Sequence, residues 1–356
     1  METLSIGIVA PTYLPIPCPG YGGIEPVIYD LARAVAKRGH QVTLIAAQNS
    51  PDCADYELYR VTGGKQDFAD EQRAFGEYAD LLGAFDLVSD HTHQHFAYLQ
   101  RCVSPDIIIQ TTRHSQWNPQ VPPPKSPNPN VPLPEPRPYN FCGISNHHSR
   151  ECSGMSGMVF RTLYDGLDLS RYPFQEAKGE RLLFVGRMEP FKGAQWAVQA
   201  AIALRMPLDL IGKDHDTNQD FVKQLKASIQ EAKGKGYDIE YHGEVDHATK
   251  LKYLQNAKCL LFPALWSEPF GLCPIEAAAC GTPTVGTTNG ALPEIVSHSR
   301  TGWLAGNIDE FISYIPKADQ IRPADCRAWV QERFSADVMS EAYIKIWREI
   351  LSGGGW

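Results

Sequence analysis

The sequence predicts an α/β fold of two doubly wound domains, and three observations carry that reading. At 356 residues the chain is long enough for two domains, each with its own core. Near its start a strand (Ser5–Ala10), a loop rich in Pro and Gly, a helix (Pro26–Arg38) and a strand (Gln41–Ala46) follow one another, the opening of a doubly wound unit. The alternation starts again at Arg181–Gly186, with a helix at Ala194–Leu204 and a strand at Leu208–Gly212.

In the first half, Ser5–Ala10 is an apolar run of strand length. Pro26 near its start and Gly39 at its stop frame the first helix. The loop between them holds Gly20, Gly22 and Gly23, which is not the G-x-G-x-x-G spacing, and no acidic residue ends the second strand. A standard dinucleotide site is therefore not expected. Glycines at this point either let a ligand approach the backbone or simply make a tight turn. Phe85–Ser89 reads as a strand leading to His91, His93 and His95. On an extended chain these three would share one face, as metal ligands can, but no carboxylate or Cys cluster supports them and no metal is expected. The strand Ile107–Thr111 leads to His114. Ligands gather at the carboxyl ends of such strands, so His91 and His114 are candidates to line one cleft. Ten prolines fall between Pro119 and Pro138, a segment that favours extended polyproline conformations. It reads as a surface loop, a flap over the site at the His114 strand end or a ligand for a polyproline-binding partner. Cys142–Ser145 and Gly157–Leu163 are the last strands of this half.

In the second half, Gln219–Lys233 is a charged amphipathic helix, Ile239–Val245 a strand and turn, and Asp246–Asn256 a helix. The buried strand Cys259–Pro263 precedes the helix Leu272–Cys280, with Gly281 as a left-handed stop. Thr282–Gly286, a helix around Leu292–Val296, the strand Thr301–Leu304 and helices at Asn307–Ile315 and Pro323–Phe334 follow. Ser335–Ile350 is a last amphipathic helix, with Ser335 as N-cap. Gly353–Trp356 reads as a frayed tail.

Composition narrows the function. A net charge of −8 argues against a nucleic-acid binder. No apolar run approaches a membrane span, and the start lacks the pattern of a signal peptide. No basic patch stands out, so peripheral membrane contact has no support in the sequence. Nine scattered cysteines without C-x-x-C pairs suit reduced thiols and a cytoplasmic location.

The chemistry centres on Ser267–Gly281. Glu268 lies in a strand-to-helix loop with Gly271, and Glu276 lies about one turn into the helix. Amides at a helix start are unpaired and attract a phosphate, with a carboxylate on either side for hydroxyls. A lone Glu here would be a cap or a dipole partner. Two, flanking Pro-Phe-Gly, favour a sugar-nucleotide site. Arg187 and Lys192, at the end of another strand, either neutralise a diphosphate or form a solvated basic pair.

These residues resemble glycosyltransferase family 4. Glu268 and Glu276 match the E-x7-E motif of retaining glycosyltransferases, within Glu-Pro-Phe-Gly-Leu and Glu-Ala-Ala-Ala-Cys-Gly-Thr-Pro-Thr-Val. Arg187 and Lys192-Gly193 match its G-R-(x)n-K-G, Gly22-Gly23-Ile-Glu25 its G-G-x-E, and Asp165-Gly-Leu-Asp168 its hinge N-G-(I/V)-D, with Asp165 in place of Asn. The resemblance covers nearly the whole chain. It implies a GT-B fold: a Rossmann-like acceptor-side domain over 1–166, a Rossmann-like nucleotide-sugar domain over 167–334, a cleft between them, and a helix at 335–351 packing back on the first.

The implied reaction moves a sugar from a nucleotide diphosphate sugar, UDP- or GDP-linked first, to an acceptor hydroxyl with retention. Arg187 and Lys192 would hold the diphosphate, with Gly22 and Gly23 closing over it. Glu268 and the backbone of Phe270, Gly271 and Leu272 would hold sugar and diphosphate, Glu276 the ribose, and Val245 the base by its backbone. His114 would contact the donor sugar near the reacting carbon, and His91 matches a second cleft histidine. The acceptor would be a glycan, a lipid-linked or a small molecule. No cofactor or metal is expected; Asp214-His-Asp216 spells D-x-D but lies in a loop after Gly212. The alternatives are a sugar-nucleotide epimerase of the same fold and a non-catalytic sugar-nucleotide or glycan binder.

Overall fold

The computed structural model describes residues 2–18, 22–65, 67–97, 100, 104, 106–115, 140–214 and 218–356. Gly20, Asp216 and the Pro-rich segment lie outside them. The chain divides into two compact units: the first takes the described residues of Met1–Cys18, Gly22–Leu167 and Ala336–Trp356, the second Asp168–Ser335.

The first unit is built on β1 (Ser5–Val9), α1 (Glu25–Lys37), β2 (Gln41–Ala47), β3 (Glu57–Val61), α2 (Phe68–Tyr78), β4 (Leu87–Asp90), β5 (Ile109–Arg113), β6 (Phe141–Gly143), α3 (Asn146–Ser156) and β7 (Phe160–Thr162). Its seven strands are parallel, in the order β3-β2-β1-β4-β5-β6-β7. Central strands of such a sheet are covered on both faces, which is why β1 and β4 read as nearly continuous buried runs. Val9, Ile45, Val61, Tyr78, Val88 and Ile109 form one core cluster.

Three elements here go beyond the sequence reading: β3, α2 and α3. Asp67 caps α2 by accepting from Asp70 N, and Ser145, expected to end a strand, instead caps α3 by accepting from His148 N. The C-terminal helix, Ala336–Leu351, belongs to this unit and buries Met339, Tyr343, Trp347 and Ile350 along one face. The tail beyond it is not frayed. Asn140 N donates to Trp356 O at 3.0 Å, the Trp356 indole donates to Phe141 O at 3.1 Å, and Arg161 stacks over the ring at 4.4 Å. A terminal aromatic ring with its own donor fastens a segment that three glycines would otherwise leave loose.

The second unit contains β8 (Leu182–Val185), α4 (Ala194–Leu204), β9 (Leu208–Ile211), α5 (Gln219–Gly234), β10 (Ile239–Tyr241), α6 (His247–Asn256), β11 (Cys259–Phe262), α7 (Leu272–Ala279), β12 (Thr284–Thr287), α8 (Leu292–Ile295), β13 (Gly302–Ala305), α9 (Ile308–Tyr314) and α10 (Pro323–Arg333). Its six parallel strands run β10-β9-β8-β11-β12-β13, around a core that includes Phe184, Val198, Leu210, Leu225, Leu261, Val285 and Phe311.

Both units are thus Rossmann-like. Strand order reverses between β1 and β4 in the first sheet, and between β8 and β11 in the second. In open parallel sheets, ligands bind outside the carboxyl ends of the strands at such a reversal. Among the described residues no helix is long and apolar enough to cross a membrane.

Candidate functional site

In the second unit the loops after β8 and β11 meet at the reversal point. Gly193, at φ +80°, lies so close to Pro263 that an added Cβ would sit 2.0 Å from the Pro263 carbonyl oxygen. Leu265 N donates to Phe191 O at 2.7 Å. A second clamp comes from the loop after β12. Thr287 Oγ1 and Asn289 Nδ2 both donate to Ala264 O, Ala291 N donates to Glu268 O at 2.8 Å, and the Cα of Gly290 rests on the Glu268 backbone. Only a glycine fits there: an added Cβ would meet Glu268 N at 2.2 Å, and φ is +63°.

These contacts bring Lys192 and Glu268 together. Lys192 Nζ lies 2.8 Å from Glu268 Oε2 and 4.5 Å from the centre of the Trp266 ring, whose indole N–H also donates to Oε2 at 2.7 Å. Glu268 therefore does not cap α7. The N-cap is Gly271, at φ +116°, which turns the chain so that the first amides of α7 stay free of a side-chain cap. Phe270 is buried, edge-on to Phe334 at 5.8 Å, so only its backbone is available to a ligand. Leu272 is half-buried at the helix start. Arg187 is one-third exposed and pairs with Glu189 at 3.2 Å.

One turn into α7, Glu276 is 5% exposed, yet an ammonium and a phenol hydroxyl reach it. Lys250 Nζ, from α6, lies 2.7 Å from its Oε1, and Tyr172 OH donates to the same oxygen at 3.2 Å. Burial alone would lower the Lys250 pKa, but Glu276 beside it raises it above the usual lysine value. Burial, aided by Glu276, pushes the Cys273 thiol up to about 12, so it stays protonated. Val245 sits half-buried in the turn before Asp246, the N-cap of α6.

In the first unit the candidates gather where β1, β4 and β5 end. Gly22 packs tightly: an added Cβ would lie 2.8 Å from Glu25 Oε2, whereas Gly23 has open space around its Cα. Burial raises the Glu25 carboxyl above its usual range. His91 and His114 do come together, with Nδ1 of the first 3.0 Å from Nε2 of the second and the rings stacked. His91 also bonds Ser89 and stacks on Tyr343 of the C-terminal helix. Burial drives its pKa well below the usual histidine value, with His114 adding to this, so it is a neutral imidazole.

The other face of His114 meets Asp165. Nδ1 lies 3.7 Å from Oδ1, with both side chains almost fully buried. Both nitrogens of His114 thus face protein groups, and its half-buried status comes from its main chain. The Asp in the hinge, expected to alter only hinge bonding, faces the candidate histidine directly.

The shared face expected for His91, His93 and His95 does not form. Asp90 Oδ1 accepts from Thr92 N and Thr92 Oγ1 from His95 N, so the chain turns immediately after β4 instead of staying extended. His93 goes to Tyr13, stacked at 5.6 Å, while His95, at φ +55°, goes towards Arg113 and Asp90. Glu71 of α2 holds the turn through His93 N and Gln94 N.

Trp266, Tyr172, Lys250 and Glu71 are the site residues that the sequence reading missed. Trp266 stands two residues before Glu268 and was within reach of it; Tyr172 and Lys250 are 104 and 26 residues from Glu276 and carry no local signal.

Comparison with known proteins fits this geometry. Residues 21–140 match the family model described as Glycosyltransferase Family 4, and residues 179–318 the model described as Glycosyl transferases group 1. A glycogen synthase of Mycobacterium tuberculosis is 33% identical over 173 residues; that match takes in 45% of this chain and 40% of the relative, so the chain covers less than half of that protein. Among solved structures, AviGT4, a glycosyltransferase involved in avilamycin A biosynthesis, is similar with a TM-score of 0.75 and 24% identity over 99% of both chains. Anabaena HepE in complex with UDP and glucose is similar with a TM-score of 0.70 and 17% identity, over 98% of this chain and all of that one. These likenesses establish a GT-B fold of two parallel-sheet Rossmann-like domains. With one model on each half, the chain belongs to the family 4, group 1 glycosyltransferases.

Proposed function

We propose that the chain is a retaining glycosyltransferase that moves a sugar from a nucleoside diphosphate sugar to an acceptor hydroxyl. The observation that carries the reading is the convergence of Lys192 and Glu268 at the strand-order reversal of the second sheet, beside the uncapped start of α7 and Glu276. A lysine, an arginine and free amides supply positive charge for a departing diphosphate, and preformed charge of this kind costs no reorganisation during reaction. Glu268 would accept from sugar hydroxyls and Glu276 from the ribose. The bond from the anomeric carbon to the diphosphate oxygen breaks, the bond to the acceptor oxygen forms, and the acceptor proton passes to the leaving phosphate.

Gly22 and Gly23 would approach the donor phosphate, Val245 the base through its backbone, and His114 the sugar. With its side chain almost fully buried, bonded to His91 and facing Asp165, that last contact falls to the His114 main chain. The cationic pair takes over the role of a metal, so the reaction is proposed to be metal-independent. UDP- and GDP-sugars remain the first donors to test; the complex of HepE with UDP supports the former. The acceptor is assigned to the first unit, and the protein to the cytoplasm, in keeping with eight cysteines outside any disulfide among the described residues.

A thermal-shift panel of UDP-, GDP-, ADP- and dTDP-sugars, followed by assay of nucleotide release from the donor that binds, tests the reading. One donor should raise the melting temperature and release its nucleotide slowly without acceptor, because a ligand that binds only the folded state stabilises it by mass action. Four donors without effect would contradict it.

A further inference from the structure

The two carboxylates of the E-x7-E pair are braced in the same way. Lys192 Nζ and the Trp266 indole both land on Oε2 of Glu268. Lys250 Nζ and the Tyr172 hydroxyl both land on Oε1 of Glu276. In each case a lysine and an aromatic donor take one oxygen. The other oxygen accepts no hydrogen bond among the described residues, and neither is a buried atom cut off from solvent.

For Glu276 this arrangement has a chemical consequence. A carboxylate that is 5% exposed pays a desolvation cost for its charge, and a paired ammonium offsets it. With two donors on Oε1, the side chain has one orientation, and Oε2 is a single, charged acceptor for an incoming hydroxyl. Tyr172 is itself held: it is fully buried, and Arg327 donates to its carbonyl oxygen at 2.6 Å.

We propose that Lys250 and Tyr172 are positioning residues that turn Glu276 so that its Oε2 receives a ribose hydroxyl of the donor nucleotide. The inference rests on the nucleoside diphosphate sugar reading above. It makes ribose recognition, as opposed to nucleotide binding in general, depend on two residues outside the E-x7-E motif.

The test is calorimetry of UDP, GDP and ADP, each beside its 2′-deoxy and 3′-deoxy counterparts, on wild type, Lys250→Met and Tyr172→Phe. Wild type should lose about tenfold or more in affinity with one deoxy form, the loss of one charge-assisted hydrogen bond. In Lys250→Met that ratio should fall below about threefold, and Tyr172→Phe should give an intermediate ratio. A ribose-to-deoxyribose ratio that stays at the wild-type value in Lys250→Met, even with weaker binding throughout, overturns the proposal. If Lys250→Met does not fold, Tyr172→Phe decides, since Phe fills the same buried space, and an unchanged ratio there is equally fatal. Wild type that binds a nucleotide without penalising either deoxy form, or binds dTDP alone, removes this inference and leaves the donor reading standing; wild type that binds none of UDP, GDP, ADP and dTDP removes both.

Discussion

Lys192 shows how much one residue can be asked to do. Its ammonium sits on Glu268 Oε2 and over Trp266, and still has protons to offer a diphosphate. Arg187, one-third exposed beside Glu189, offers a second charge. Lys192→Ala and Arg187→Ala should each cost about a hundredfold in transfer rate at saturating donor, roughly 3 kcal/mol of transition-state stabilisation, with the fold intact. Steady-state kinetics beside circular dichroism would check this, and near-normal turnover in both variants would remove the phosphate role. At this scale the sequence was legible where chemistry sat in a short window: Glu268, Glu276 and the Arg187–Lys192 loop. It was silent where a partner arrives from another element, as Lys250 and Tyr172 do, because side-chain contacts between elements leave no periodic trace. Asp165 is legible as a departure from the hinge motif, but its approach to His114 depends on how β5 and the hinge segment pack.

At the scale of elements, most strands and helices followed from apolar runs, caps and glycine stops. α4 has the bounds its sequence predicts, and Gly281 does stop its helix at φ +84°. What escaped was set by local competition. The turn after β4 replaces an extended run because Asp90 and Thr92 offer the backbone closer partners, and Trp356 anchors a tail whose glycines suggest fraying. α2 contributes more than cover for the sheet, since Glu71 reaches from it to that turn. Burial pushes the Glu71 carboxyl from an ordinary 4.5 up to about 7, despite the two amides that bond it. A carboxyl raised in the folded state keeps a proton that the unfolded chain has already released. Its contribution is thus full below the unfolded value and is lost as pH rises through about 4.5 to 7. Relative to Glu71→Gln, wild type should lose roughly 2 kcal/mol of stability between pH 4.5 and 7.5, measured by urea unfolding across that range. Parallel curves for the two proteins would show that Glu71 does not titrate there.

For the molecule as a whole, the two reversal points in strand order explain why the candidate residues fall where they do. The loop leaving β1 carries Gly22 and leads to Glu25 at the start of α1, and the loop leaving β4 carries His91; loops leaving β8 and β11 carry Arg187, Lys192 and Glu268. The protein's own positive charge at the second of these should make transfer insensitive to EDTA. Activity lost to the chelator and restored by magnesium or manganese would contradict that part of the account. The most direct test of the central claim is the anomeric configuration of the first product. The donor that stabilises the protein is incubated with enzyme and an acceptor alcohol or glycan, and the new glycosidic linkage is read by proton NMR. Transfer should retain the configuration of the donor sugar and release nucleoside diphosphate in equal amount. Transfer with inversion, or conversion of the donor to an epimer without an acceptor product, would contradict it.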